Sequence, residues 1–379
     1  MTAAGNARTS DPVARDRGDT GPIGALVAGR SVIVCCGSGG VGKTTVSAAL
    51  ALDAARQGRR ACVVTIDPAR RLANALGVDS IPNDPVRLHG DWPGELWAVM
   101  LDPKHTFDDL VRRYAASAEQ ADSILANRIY RNLTGALSGT QEYMAMEKLH
   151  ELTESGRYDL VVVDTPPTRN AMDFLDAPRR LTHFLGHRLF QLLLMPTRAY
   201  LRAVSVASQA LLRAIGKVAG SDVVEDAVAF FQAFEGMEEG FRRRAERMQE
   251  VMRAPSTAYV LVTAPRADLV TEAGWFADRL AESGFALDAL VVNRVQPSFG
   301  DEGELPDAPA GSSLAALSDN LTELRRRHDL QTQAITTISD RISPAPTVHV
   351  PVLDQDVHDV DGLGAVVDAL SGAPAHPAA

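Results

Sequence analysis

The chain lacks several features that would assign it to a membrane, secreted or nucleic-acid-binding class. None of its apolar runs reaches the roughly 18 residues of a membrane-spanning helix. Residues 1–22 lack the apolar core of a secretory signal, and we expect them to be a disordered lead of a cytoplasmic protein. The net charge of −10 argues against a specific nucleic-acid partner.

Cysteine is also scarce, with three residues in a chain of 379. Cys35, Cys36 and Cys62 lie in predicted strands, and no two of them have C-x-x-C spacing. This pattern argues against a zinc site or a disulfide framework. Buried structural thiols in a reducing compartment are the better interpretation.

What the chain does have is a glycine-rich stretch, GSGGVGKTT, between an apolar β-prone segment and an amphipathic helix. It fits the pattern G-x-x-x-x-G-K-[ST], in which backbone N–H groups and a helix N-terminus bind phosphate. The predicted nucleotide-binding residues are Gly37, Ser38, Gly39, Gly40, Val41, Gly42, Lys43, Thr44 and Thr45. Lys43 is expected to reach the β- and γ-phosphates of ATP, and the Thr44 hydroxyl to bind Mg²⁺. A glycine turn without a ligand would need neither side chain.

Apolar runs elsewhere predict strands at 60–66, 96–101, 158–164, 258–263, 287–293 and 348–351. Continuous runs of this kind are typical of strands buried on both faces, so the expected fold class is α/β with a doubly wound, mostly parallel sheet. The predicted α/β domain takes residues 23–102, 151–177, 256–295 and 319–371. Helical spacing over 103–150 and 178–255 predicts an inserted helical subdomain. We expect 296–318 to be a mobile insertion, 321–342 a helix and 372–379 a loose tail.

Polar residues lie at the carboxyl ends of three of the predicted strands, at the edge of the sheet where ligands bind in α/β folds. Asp164 is the candidate carboxylate for Mg²⁺, directly or through water. Asp67 is the candidate catalytic group that orients or deprotonates the attacking water. Asn293 carries an amide that matches the adenine edge. Each of these residues has an alternative interpretation as a turn or strand-end residue.

Five segments occur in the order found in one known family: GSGGVGKTT, TIDPARRL, YDLVVVDTPPTRNAMDFLDAP, VVNRVQP and VPVLDQDV. Over about residues 31–370 the chain resembles the arsenite-pump (ArsA) ATPases, which include the cytosolic ATPases that deliver tail-anchored membrane proteins. It is most similar to actinobacterial anion-transporting ATPase members, which share CCGxGGVGKTT. The resemblance implies a P-loop NTPase fold of the SIMIBI type and a Mg²⁺-dependent ATPase that works as a nucleotide-sandwiched dimer. It also implies that Asp67 and Asp164 belong to the two switch segments, and that Asn293 and Pro351–Val357 line the adenine.

The chain departs from the family pattern at positions that concern phosphate charge. Ser38 stands where the family has a signature lysine that crosses the dimer. Arg169 replaces a glycine, and Arg70 and Arg71 stand where the delivery ATPases have His-Asn. Because guanidinium groups match phosphate oxygens, we hypothesise that Arg169, or else Arg70 or Arg71, replaces the lysine. The alternative is that these arginines pair with surface acids.

Residues 178–219 contain seven basic and no acidic side chains. They include an apolar block formed by Leu185, Leu189, Phe190, Leu192, Leu193, Leu194 and Met195. A basic amphipathic segment suits an anionic membrane surface or a hydrophobic client helix. Packing against its own subdomain is the alternative.

The sequence therefore supports an ATPase, cytoplasmic or peripheral at the membrane, that couples a dimer switch to a hydrophobic or membrane-proximal client. A slow or inactive nucleotide-dependent scaffold with a paralogous subunit is the second hypothesis, and a partition-type signalling ATPase is the third. The expected dimer is a homodimer or a heterodimer with a paralogue.

Overall fold

A computed structural model describes residues 21–66, 71–128, 130, 140–185, 237–298, 300 and 309–372. Its strands are β1 (Val32–Gly37), β2 (Arg60–Thr65), β3 (Val86–Leu88), β4 (Glu95–Met100), β5 (Leu160–Asp164), β6 (Thr257–Thr263), β7 (Ala289–Val295) and β8 (Thr347–Pro351). Its helices are α1 (Gly21–Gly29), α2 (Lys43–Arg56), α3 (Arg71–Leu76), α4 (Pro103–Tyr114), α5 (Ala118–Ala126), α6 (Thr140–Glu154), α7 (Thr168–Leu185), α8 (Glu238–Arg253), α9 (Ala267–Glu282), α10 (Ser313–Ile342) and α11 (Val360–Leu370).

The eight strands form one sheet in the order β3-β4-β2-β5-β1-β6-β7-β8. Only the β3–β4 pair is antiparallel, and the other neighbouring strands run parallel. This arrangement confirms the predicted α/β fold with a doubly wound, mostly parallel sheet. The carboxyl ends of β1, β2, β5, β6 and β7 consequently meet at one edge.

The central strand β1 is buried on both faces of the sheet, which explains why its sequence is a continuous apolar run. All six of its residues are buried. Val32, Val34 and Cys36 pack into the core on one face of the sheet, while Ile33 and Cys35 pack on the other. Burial raises the pKa of the Cys36 thiol to about 12, so the thiol stays protonated. The three cysteines are free and buried, which confirms the prediction of buried thiols.

A buried ion pair joins the helices that cover one face of the sheet. Arg244 of α8 donates from Nε to the Glu147 carboxylate of α6 at 2.5 Å, and Glu147 is 2% exposed. Tyr143 also donates to this carboxylate, and Arg244 donates to the Tyr114 hydroxyl of α4. Burial is the main cause that raises the Glu147 pKa. The network joins α4, α6 and α8 into one packed unit, because breaking it would leave a charge buried without its partner.

Most of the predicted basic segment, 178–219, lies outside the described residues, which include only 178–185 of it. Its proposed contact with a client or membrane therefore stays a prediction. No helix within the described ranges is long and apolar enough to cross a membrane.

Three local features differ from the expected boundaries. Helix α10 begins at Ser313, not at the predicted Leu321, because the Ser312 hydroxyl accepts from the Ala315 N–H and caps it there. The helix thus occupies the end of the predicted insertion 296–318. Helix α1 begins at Gly21, inside the predicted lead. The short antiparallel edge strand β3 was not predicted, since three residues carry too little periodicity.

Candidate functional site

The glycine-rich loop joins β1 to α2, as the sequence predicts, and three of its glycines adopt backbone conformations that L side chains rarely take. Gly37, Gly40 and Gly42 have φ values of 150°, 78° and 93°. A Cβ added at Gly37 would lie 2.1 Å from the carbonyl oxygen of Val262 on β6. The tight approach of loop and strand therefore requires glycine at position 37.

Lys43, the first residue of α2, lies inside this loop. Its side chain is 8% exposed, and Nζ donates to the Ser38 carbonyl oxygen at 2.8 Å. The ammonium is thus held beside the backbone N–H groups at the start of α2, where an anion would be attracted by both.

The Asp164 carboxylate, at the end of β5, brings three elements of the sheet edge together. Its Oδ2 accepts from the Thr44 hydroxyl at 2.7 Å and from the Thr65 hydroxyl, at the end of β2, at 2.9 Å. Asp164 is 1% exposed. Carboxylate and hydroxyl oxygens are the ligands that Mg²⁺ prefers, so the donor set fits this ion. Thr65 was not identified from the sequence, although its place at a strand end is the same signal that identified Asp164.

Asn293, on β7, contacts the glycine-rich loop through its side-chain amide. Its Nδ2 donates to the Val41 carbonyl oxygen at 2.8 Å, and its Oδ1 accepts from the Arg294 N–H at 2.9 Å. The amide occupies the space beside Gly42, where an added Cβ would lie 2.2 Å from Nδ2. After these two hydrogen bonds the Asn293 amide still has one N–H and one oxygen lone pair with which it could bind adenine. The adenine role of Asn293 therefore stays a prediction.

A cavity of about 480 Å³ opens beside the loop, within the volume range of small-molecule sites. Its lining includes Thr45 and, from the segment after β8, Val357 and His358. Three cations also line it, Lys43, Arg71 and Arg294, against the single carboxylate of Asp164 among the described lining residues. This excess of positive side chains favours a polyanionic ligand.

The structure thus brings five of the predicted loop residues together with Asp164 and Arg71 in one cavity: Gly40, Gly42, Lys43, Thr44 and Thr45. The other four, Gly37, Ser38, Gly39 and Val41, are not among its described lining residues. Pro351 ends β8 and pairs with Val295 of β7. Asp67 and Arg70 lie outside the described residues, and the side chain of Arg169 is likewise not described. Their predicted roles remain predictions. Arg294 and His358 were missed by the sequence analysis.

A buried lysine in a glycine-rich loop, between a central parallel strand and its helix, defines the class of P-loop nucleotide-binding proteins. The chain belongs to the anion-transporting ATPase family, whose model matches residues 30–372. This membership confirms the family that the five sequence segments indicated.

Three relatives show how far the similarity extends. A putative arsenical pump-driving ATPase of Aquifex aeolicus is 22% identical over 349 residues, which are 90% of this chain and 78% of the relative. The Streptomyces coelicolor protein SCO2128 is 31% identical over 312 residues, 80% of this chain and 71% of the relative. An ATPase ASNA1 homolog of Cryptosporidium parvum is 26% identical over 274 residues, 71% and 67% of the two chains.

Substituting two glycines by alanine tests how the hydrogen bond from Asn293 to the loop supports the site. At Gly42 the new Cβ would meet Nδ2 of Asn293, so Gly42→Ala is expected to displace this amide and weaken ATP binding by about tenfold or more. Gly58→Ala is the matched control, because Gly58 also has positive φ but has no atom within 4 Å of an added Cβ and follows α2 away from the cavity. It should show only the backbone strain, about 1–2 kcal/mol. Calorimetric ATP titration and thermal melting measure both effects, and equal ATP affinities in the two variants would contradict the supporting role of Asn293.

Proposed function

We propose that this chain binds ATP with Mg²⁺ and hydrolyses it to ADP and phosphate. The observation that carries the proposal is the 2.7 Å contact between Thr44 and Asp164, next to the buried ammonium of Lys43. The hydroxyl, the carboxylate and the cation of a phosphate-transfer site thus meet at one edge of the sheet. The family name and the names of two relatives, both called ATPases, support the same activity.

Each residue has a defined role in this proposal. Lys43 and the N–H groups of the loop bind the β- and γ-phosphates. Thr44 and Asp164 hold Mg²⁺, which neutralises phosphate charge when bound. Asp67 orients or deprotonates the attacking water. Asp67 directly follows Ile66, whose N–H donates to the Asp164 carbonyl oxygen at 3.2 Å, so the two carboxylate-bearing segments are joined through the backbone.

We further propose that the nucleotide state of a dimer is coupled to a hydrophobic or membrane-proximal client through 178–219. Support comes from a continuous set of contacts between the site and the helical layer. Gln141, at the start of α6, donates from Nε2 to the Ile66 carbonyl oxygen at 3.1 Å. Farther along α6, Glu147 binds Arg244 of α8, which follows the basic segment in the chain. Movement of the backbone at Ile66, which directly follows β2, would therefore be transmitted to these helices.

A second candidate function is a nucleotide-dependent scaffold with negligible turnover, completed by a paralogous subunit. It is favoured by Ser38, since the family's signature lysine is absent from this position and a hydroxyl supplies no positive charge.

Steady-state phosphate release distinguishes the enzyme from the scaffold. The parent protein is expected to release phosphate with ATP and Mg²⁺, and Asp67→Asn to reduce the rate by about 100-fold or more, because general-base catalysis contributes about 10²–10⁴-fold. ATP affinity should remain near that of the parent. Asp319→Asn, at an exposed position on α10, is the matched control and should leave the rate unchanged. Release that is equally negligible in the parent and in Asp67→Asn, despite bound ATP, would favour the scaffold.

A further inference from the structure

We infer that Arg294 is a phosphate-binding residue of this site, whose guanidinium contacts the phosphate oxygens of ATP and ADP from the rim of the cavity. The inference rests on the proposed function, because it requires a nucleotide at the glycine-rich loop. It assigns a role to a residue that the sequence analysis did not identify.

The backbone at Arg294 is held in an unfavourable conformation. Its φ is 61°, and it is the one non-glycine residue with positive φ in the described part of the chain. The β7–β8 ladder shifts register between Asn293 and Val295, so Arg294 lies in a bulge. The Asn293 side chain accepts from the Arg294 N–H and fixes this geometry. A glycine would take the same φ without strain and keep the same N–H bond.

What arginine adds at this position is therefore its side chain. The side chain of Arg294 is exposed, lines the cavity and donates from Nη1 to the Gly40 carbonyl oxygen at 3.3 Å. A guanidinium has five N–H donors, and a single long bond to a neutral carbonyl uses one of them. Phosphate oxygens are stronger partners, because their bonds to guanidinium are charge-assisted and frequently bidentate.

The position of the guanidinium fits this ligand. Asn293 donates to the Val41 carbonyl oxygen, and Arg294 donates to the carbonyl oxygen of the preceding residue, Gly40. Consecutive residues of β7 thus contact consecutive residues of the loop. Arg266 shows the contrast: it lies after the neighbouring strand β6, but it forms an ion pair with Asp268 at 2.7 Å. Retained backbone strain is typical of functional positions, where it is the cost of placing a particular group.

Arg294→Gly separates the two contributions of this residue, because it relieves the strain and removes the guanidinium. We expect affinity for both ATP and ADP to fall by about 10- to 100-fold, the range for hydrogen bonds to charged groups. The melting temperature should stay equal to that of the parent or rise. Arg294→Lys should be intermediate, since it keeps the charge but loses the planar fork. Arg266→Ala is the control and should bind both nucleotides as the parent does.

Titrations of the full chain with ATP, ADP and adenosine decide between the outcomes. A loss confined to the two nucleotides supports the phosphate contact, whereas an equal loss for adenosine would assign Arg294 to the base and overturn it. If Lys43→Met loses ATP but Arg294→Gly keeps parental affinity, the inference about Arg294 fails while the proposed site stands. If the parent itself does not bind ATP, both the proposed function and this inference fail.

Discussion

Lys43→Met is expected to abolish measurable ATP binding, with a loss of affinity of at least about 100-fold. Nζ lies 2.8 Å from the Ser38 carbonyl oxygen, on a side chain that is 8% exposed, so the ammonium is already desolvated and positioned before a phosphate arrives. A charge-assisted bond formed by such a group is stronger than one formed in water. Methionine keeps an unbranched apolar stem in the loop but removes the charge. Calorimetric titration with ATP and Mg²⁺ measures the effect.

The control for charge removal is Lys104→Met on α4. Lys104 is 63% exposed and pairs with Asp108 one turn along the helix, so its loss should change neither ATP affinity nor folding appreciably. Thermal melting of Lys43→Met checks that the variant remains folded. A folded Lys43→Met protein with parental ATP affinity would remove the basis for the phosphate site.

The parts of the fold that were predicted correctly depend on local sequence. β1 could be identified because each of its six residues is buried, which requires an unbroken apolar run. The glycine-rich loop between β1 and α2 could be identified because its glycines, lysine and threonine all fall within one short stretch of the chain. Asp164 was found because it ends such a strand, and the structure places it against Thr44.

Contacts between distant parts of the chain were not predictable in the same way. Arg294 and Gly40 are 254 positions apart, and they meet only because β7 lies two strands from β1 in the sheet. Strand order is not encoded in any local pattern, so the sequence could mark Asn293 as a strand end without showing what it faces. The adenine role of Asn293 stays a prediction, and the structure adds a bond from its amide to the loop that no local pattern indicated.

The start of α10 shows how composition can obscure periodicity. Residues 296–318 are rich in Pro, Gly, Ser and acid, which favoured an insertion over the whole stretch. Leu314 and Leu317 nevertheless continue the three- and four-residue spacing of Leu321 and Leu324, and the helix begins before them. Periodicity combined with the Ser312 cap would have given the better boundary.

Arg169→Ala is expected to lower the rate of single-turnover ATP hydrolysis by about 10³-fold or more. Negative charge on the γ-phosphate needs a cation in the transition state, and a positioned arginine contributes on the order of 10³–10⁵ in related reactions. Ser38 cannot supply this charge. Arg169 lies five positions after Asp164, in the segment expected to respond to the γ-phosphate, and Arg70 and Arg71 follow Asp67 in the same way. Arg71 lines the cavity, which supports it as the second candidate.

Ser38→Lys provides the matched test, because it restores the family's lysine without touching any arginine. If Arg169 already supplies the charge, Ser38→Lys should change the single-turnover rate by less than about tenfold. Arg266→Ala serves as the control for the loss of a guanidinium, since Arg266 is paired with Asp268 and its loss should leave the single-turnover rate at that of the parent. Parental rates in Arg169→Ala, Arg70→Ala and Arg71→Ala, together with a sharp increase in Ser38→Lys, would contradict the hypothesis. The chain would then be a slow ATPase whose missing cation has to come from a partner subunit.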